Sequence, residues 1–172
     1  MRRDADADGV RRFARELGRA TTASARLYLV GGASAVVEGW RASTLDIDVR
    51  LEPDDEELLR ELSRLKQRLD VNVELTSPLN FLPELPGWRE RSPFLFREGR
   101  LDVHHFDFSS QALVKLERGF EQDLADVASM VAAGLVEPAH LLALYERIED
   151  ALFRFPAVDP DSLRAAVERL AR

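Results

Sequence analysis

Leu27-Tyr28-Leu29-Val30-Gly31-Gly32-Ala33-Ser34, followed twelve positions after Ser34 by Asp46-Ile47-Asp48, decides how this chain reads. An apolar run ending at a Gly-Gly pair predicts a strand that turns sharply into a helix. Strand side chains alternate between faces, so Asp46 and Asp48 point one way while Leu45, Ile47 and Val49 fill the other. Two carboxylates so placed repel each other unless a divalent cation lies between them, and hard oxygen donors suit magnesium. The glycines let backbone approach a phosphate closely, and the start of the next helix offers N–H groups to anionic oxygens. Ser34 is placed to cap that helix or to bond a phosphate. Taken singly, a Gly-Gly turn and an Asp-x-Asp strand are ordinary features. In this order they predict a phosphate cradle facing a magnesium site.

Working outward, the chain alternates between elements. Val10, Phe13, Ala14 and Leu17 recur at helical spacing over residues 8–19, with Gly18 at the expected end. Strands are predicted over 26–30 and 45–51, with a short helix over 33–38 between them. Pro53-Asp54-Asp55-Glu56-Glu57 marks a helix start, since proline suits the first turn and acids suit the dipole there. Val71-Asn72-Val73-Glu74-Leu75 alternates as a third strand with Glu74 on the face of Asn72. Residues 78–93 hold four prolines with Phe81 and Trp88, a long loop with Trp88 placed to stack on something flat. Glu98-Gly99-Arg100 joins two strands of a hairpin, in which adjacent His104 and His105 face opposite ways and cannot share a metal ion.

From Ser109 onward the pattern is helical. Ser109 or Ser110 is the expected cap of a helix carrying Lys115 and Arg118 on one face, Gly119 ends it, and Asp123 is the expected cap of the next. Helices are predicted over 136–153 and 160–170, the last with Asp159 as cap and Pro160 in its first turn.

Composition narrows the function classes. A chain of 172 residues buries one real core. It has no cysteine, hence no disulfide or thiolate metal site, and with no apolar segment behind its N-terminal charges it is expected to be cytoplasmic. No apolar stretch approaches the roughly 20 residues of a membrane span. The net charge of −7 argues against grip on a long stretch of nucleic acid, which needs a basic face. Arg11, Arg12 and Arg15, and Arg89, Arg91, Arg97 and Arg100, are local basic clusters that leave room for contact with an RNA end.

Gly31-Gly32-x-Ser34 followed by Arg41, Thr44, Asp46 and Asp48 resembles the first motif of the polymerase-beta-like nucleotidyltransferases, in particular the small bacterial members related to abortive-infection toxins. Leu113-Val114-Lys115-Leu116-Glu117-Arg118 with Asp123-Leu124-Ala125-Asp126-Val127 resembles their later motif, so the likeness spans about residues 26–130. The resemblance implies that Gly31, Gly32 and Ser34 hold the nucleotide phosphates and that Asp46 and Asp48 bind magnesium. It also implies a third carboxylate on a strand after the first long helix, which makes Glu74 the candidate, although that residue is usually Asp; Asp70 and Asp107 are the alternatives. Lys115 is then a point charge on the phosphates, oriented by Asp123, and as a phosphate clamp its loss is expected to leave thermal stability nearly unchanged.

The expected fold is α/β, a mixed sheet of about five strands flanked by helices, with residues 1–108 as the catalytic sheet domain and 109–172 as a C-terminal helical bundle completing the nucleotide site. The implied reaction is magnesium-dependent transfer of a nucleoside monophosphate from a nucleoside triphosphate to a hydroxyl on a tRNA 3′ end, a protein or a small molecule. The same likeness allows a cognate antitoxin as partner. Two other classes fit the residues: a non-catalytic module that holds a nucleotide or partner, and an interaction protein of a toxin/antitoxin pair.

Overall fold

The computed structural model describes residues 3–172; Met1 and Arg2, part of the charged N-terminal stretch read above, lie outside the described residues. The chain forms two compact units, one of Met1–Ser77 with Ser92–Phe106 and one of Pro78–Arg91 with Asp107–Arg172. The boundary is therefore discontinuous, and the segment 78–91, read as a loop of the sheet domain, is counted with the helices.

The first unit is a five-stranded mixed sheet. Its strands are β1 (Ala25–Val30), β2 (Asp46–Glu52), β3 (Asn72–Leu75), β4 (Phe94–Glu98) and β5 (Leu101–His105), in the order β3-β2-β1-β5-β4. β1 runs antiparallel to β2 and parallel to β5, β2 runs parallel to β3, and the β4–β5 hairpin closes the far edge. Leu27, Leu29, Ile47, Val49, Val73, Leu101 and Val103 are buried on one face. Against them lie Val10, Phe13, Ala14 and Leu17 of α1 (Ala7–Ala20) and Leu58, Leu62 and Leu65 of α3 (Glu56–Arg68). Burying such side chains is worth roughly 1.5–3 kcal/mol each, which is what holds these amphipathic helices to the sheet. α2 (Gly31–Glu38) follows β1 without an intervening residue.

Two local readings change. α1 does not end at Gly18; it runs to Ala20, and Gly18 is instead a point of close approach, where a Cβ would lie 2.6 Å from the Glu98 carbonyl oxygen and Cβ. α3 starts at Glu56 rather than beside Pro53, because the Asp55 carboxylate accepts from the Leu58 N–H at 2.9 Å and so sets the cap.

The second unit contains α4 (Trp88–Arg91), α5 (Phe108–Arg118), α6 (Glu121–Ala132), α7 (Pro138–Glu146) and α8 (Pro160–Ala171). α5 packs on α4, α6 and α8, and α7 packs on α8. Its cap is Asp107 rather than Ser109 or Ser110: the carboxylate accepts from the backbone N–H groups of both serines and from the Ser110 hydroxyl at 2.7 Å. Gly119 ends α5 in the left-handed region at φ 69°. The single helix expected over 136–153 is two pieces, α7 and a 3-10 turn at Glu149–Arg154. α8 starts as predicted, with Asp159 accepting from Asp161 and Ser162. Among the described residues no helix is long and apolar enough to cross a membrane.

Candidate active site

Gly31 opens α2 at φ +55°, a conformation costly to any residue with a Cβ. A Cβ there would sit 3.2 Å from Asp48 Oδ2, so the backbone turn and the carboxylate are in near contact. At Gly32 a Cβ would fall 2.2 Å from Thr44 Oγ1, with an Arg41 guanidinium nitrogen at 3.6 Å. The two glycines thus admit Thr44 and Asp48 against the first turn of α2. Val30, the cap residue, brings no side-chain hydrogen bond to that turn; the carboxylate beside it is that of Asp48, an anion at the positive end of the helix dipole.

Ser34 turns away from this surface. It is completely buried, its hydroxyl donates to the Leu29 carbonyl at 2.9 Å, and its oxygen lies 3.0 Å from His105 Nδ1. His105 Nε2 in turn approaches Glu38 Oε1 at 2.7 Å. Burial lowers the His105 pKa below its ordinary value; the Arg11 charge lowers it further, and the Glu38 carboxylate offsets part of this. Ser34 and His105 therefore tie α2 to β5 from inside. His104, facing the other way, lies with Nδ1 3.2 Å from the Ser92 carbonyl and stacks near Tyr28.

Asp46 and Asp48 alternate with buried Ile47 and Val49 on β2, as the period requires. The Thr44 hydroxyl donates to the Asp46 carbonyl at 2.9 Å and fixes the entry to the strand. In the parallel register, Asp46 stands opposite Asn72 and Asp48 opposite Glu74. The Asn72 amide donates to Asp46 Oδ1 and lies 3.5 Å from Glu74 Oε1. Glu74 itself is exposed.

This donor set fits magnesium. Both aspartates offer hard oxygens on one strand face, and magnesium typically takes one or two carboxylates and completes its shell with substrate phosphates and water. Among the described residues no three His, Asp or Glu side chains converge as a ready ligand set, so substrate oxygens would have to contribute.

The two alternatives for the third carboxylate have surroundings of their own. Asp70 occupies the turn after α3 at φ 56°. Asp107 is 1% exposed and, besides capping α5, accepts from Arg91 through both oxygens at 3.1 and 2.9 Å. Trp88, read as a stacking residue, is buried in the second unit with Nε1 donating to Glu84 at 2.8 Å and the Arg89 guanidinium over its ring at 4.4 Å.

Lys115 is also buried in the second unit, with 5% of its side chain exposed. Its ammonium lies 2.6 Å from Asp126 Oδ2 and 3.3 Å from Asp123 Oδ1. Asp123 is not a cap: α6 begins at Glu121 after Phe120, and the Asp123 carboxylate accepts from Arg118 Nε at 3.0 Å as well as from the lysine. Burial alone would raise the Asp123 pKa, but the Arg118 hydrogen bond and the Lys115 charge outweigh it and hold the group below the usual carboxylate value. Asp126, the lysine's nearer partner, was open to sequence reading, since Asp123 and Asp126 are three apart on one helix face. Asn72 was not, because nothing in the chain states the register of β2 with β3.

A family model described as a nucleotidyltransferase of unknown function, DUF6036, matches residues 9–159. No curated protein and no solved structure matches the chain. The model takes in the Gly-Gly turn, both strand aspartates and the Lys115 cluster, and the chain belongs to this nucleotidyltransferase family.

Proposed function

We propose that the protein is a magnesium-dependent nucleotidyltransferase that moves a nucleoside monophosphate from a nucleoside triphosphate to a hydroxyl acceptor. The observation that carries this reading is the near contact of the Gly31 backbone turn with Asp48 Oδ2, which puts an anion-binding helix start beside a hard-oxygen metal ligand. Asp46 and Asp48 are the principal magnesium ligands and Glu74 is the third carboxylate. The metal, when bound, stabilises charge on the triphosphate and lowers the pKa of the acceptor hydroxyl.

The chain's own part is to bind and orient. The Gly31-Gly32 backbone and the first turn of α2 receive phosphate oxygens, and Ser34 contributes from beneath by anchoring α2 to Leu29 and His105. β2, held by Ile47 and Val49 in the core, keeps both carboxylates on one side. In-line attack at the α-phosphate then releases pyrophosphate. The resemblance gives Lys115 and Asp123 a nucleotide role as well; their geometry supports a bracing role within the second unit, and the two readings are separated below. An RNA 3′ end, a protein hydroxyl and a small molecule are the acceptor classes, and the likeness to abortive-infection toxins extends the proposal to the toxin of a toxin/antitoxin pair.

The test is incubation with each nucleoside triphosphate, α-labelled, and magnesium against total RNA, total protein and the protein alone. Transfer of label with pyrophosphate release is expected, and Asp48→Asn or Asp46→Asn is expected to lower turnover on the order of 100-fold, as loss of a major electrostatic stabiliser does. Glu74→Gln should abolish transfer while Asp70→Asn retains it, and Asp107→Asn, which removes the charge that pairs with Arg91, should lower the melting temperature but keep transfer at temperatures where the variant is folded. Label that moves to no acceptor, with nucleotide bound nonetheless, would establish the second reading, a non-catalytic nucleotide-binding module, which the exposed Glu at position 74, where the resembled pattern usually has Asp, favours.

A further inference from the structure

The functional face of β2 and β3 is a two-by-two array. The parallel register sets Asp46 opposite Asn72 and Asp48 opposite Glu74, so three corners are acids and the fourth is an amide. An amide flanked by two carboxylates has one sensible orientation, with its NH2 toward both and its oxygen away. The amide nitrogen is so placed: Asn72 Nδ2 donates to Asp46 Oδ1 and lies 3.5 Å from Glu74 Oε1. Asp46 Oδ1 is thereby committed, and among the described residues no hydrogen bond reaches Asp46 Oδ2. A fourth acid at position 72 would add like charge to a crowded face, whereas an apolar residue would leave Asp46 to turn about its own torsions.

We propose that Asn72 is a positioning residue of this site, its amide locking the Asp46 carboxylate so that one oxygen is held and the other is presented to a divalent cation. The inference rests on the metal reading of Asp46 and Asp48. A hydrogen bond that orients a ligating carboxylate has a typical effect of 10–100-fold on metal affinity when removed. Asn72 has no place in the core and sits on an edge strand, so its truncation should spare the fold.

The experiment is titration of the whole chain with Mn2+ alone, followed by electron paramagnetic resonance, with melting temperature in EDTA measured alongside. Wild-type protein is expected to bind Mn2+ weakly, Asp46→Asn to lose that binding, and Asn72→Ala to weaken it about 10-fold or more at an unchanged melting temperature. Equal Mn2+ affinity in Asn72→Ala and wild type, with loss in Asp46→Asn, overturns the role of Asn72 and leaves the metal site standing. No Mn2+ binding by wild type, or none lost in Asp46→Asn, overturns the metal reading and this inference with it. If Asn72→Ala unfolds, Asn72→Asp, which preserves size, decides: two facing carboxylates should lower its melting temperature in EDTA, and Mn2+ should restore it by a larger gain than wild type shows. A melting temperature equal to wild type and no added response to Mn2+ overturns the contact.

Discussion

His105 shows how one side chain carries a pH dependence. Its folded pKa lies below the ordinary value near 6.5 because the ring is buried. As pH falls below about 6.5 the unfolded chain takes up a proton that the folded one refuses, so stability is full above that value and is lost as pH drops toward the folded pKa. His105→Gln should flatten this part of a melting-temperature profile between pH 7 and 5; an unchanged slope would show that the ring is not its source. The same residue explains what could not be read in advance. Ser34 was legible as a small hydroxyl beside a Gly-Gly turn, but its partner His105 is 71 positions away, and only the β1–β5 pairing brings the two together. Asp46 and Asp48 were legible because their spacing is the strand period itself.

At the scale of elements, the α5–α6 pair turns on Lys115. A buried ion pair that loses one partner typically costs about 3–5 kcal/mol, since a charge is left unpaired in the interior. Lys115→Met, which leaves Asp123 and Asp126 facing each other without their shared cation, should therefore lower the melting temperature by several degrees or more. A lysine that serves only as a phosphate clamp would show no such loss. Lys115→Met that melts like wild type yet binds triphosphate poorly would support the nucleotide role instead. Element starts were readable where the cap is local, as with Asp159 before α8. One was misread where a distant group intervenes: Asp107 is drawn to the start of α5 with Arg91 on its other side. Gly18, read as a helix end, is helical and instead gives Glu98 room to approach.

For the molecule as a whole, the boundary matters most. The chain passes between units after residues 77, 91 and 106, so a cut at 108 separates 78–91 from the helices it is counted with. Leu82, Leu85 and Trp88 are each at most 3% exposed in the intact chain, and in a 1–108 fragment they would meet water. That fragment is expected to bind a hydrophobic dye and aggregate, whereas 1–106 with 78–91 replaced by a short Gly-Ser linker should stay soluble with the mixed helix-and-sheet circular dichroism of α1, α2, α3 and the five strands. Cooperative melting of 1–108 without dye binding would restore the continuous boundary. The strands were legible locally, β2 and β3 from alternation, β1 from its apolar run before Gly31-Gly32, and β4 and β5 from the turn at Gly99. The excursion of 78–91 was not, because its apolar residues carry no period that says which core they serve.

The partition of the chain also has an optical consequence. There are two tryptophans, and the discontinuous boundary assigns Trp40, just past α2, to the unit bearing the aspartates and Trp88 to the helical unit. Trp40→Phe and Trp88→Phe would each leave a single indole emitter, so the melting of either unit becomes visible as a colour shift of its own fluorescence, with no label attached.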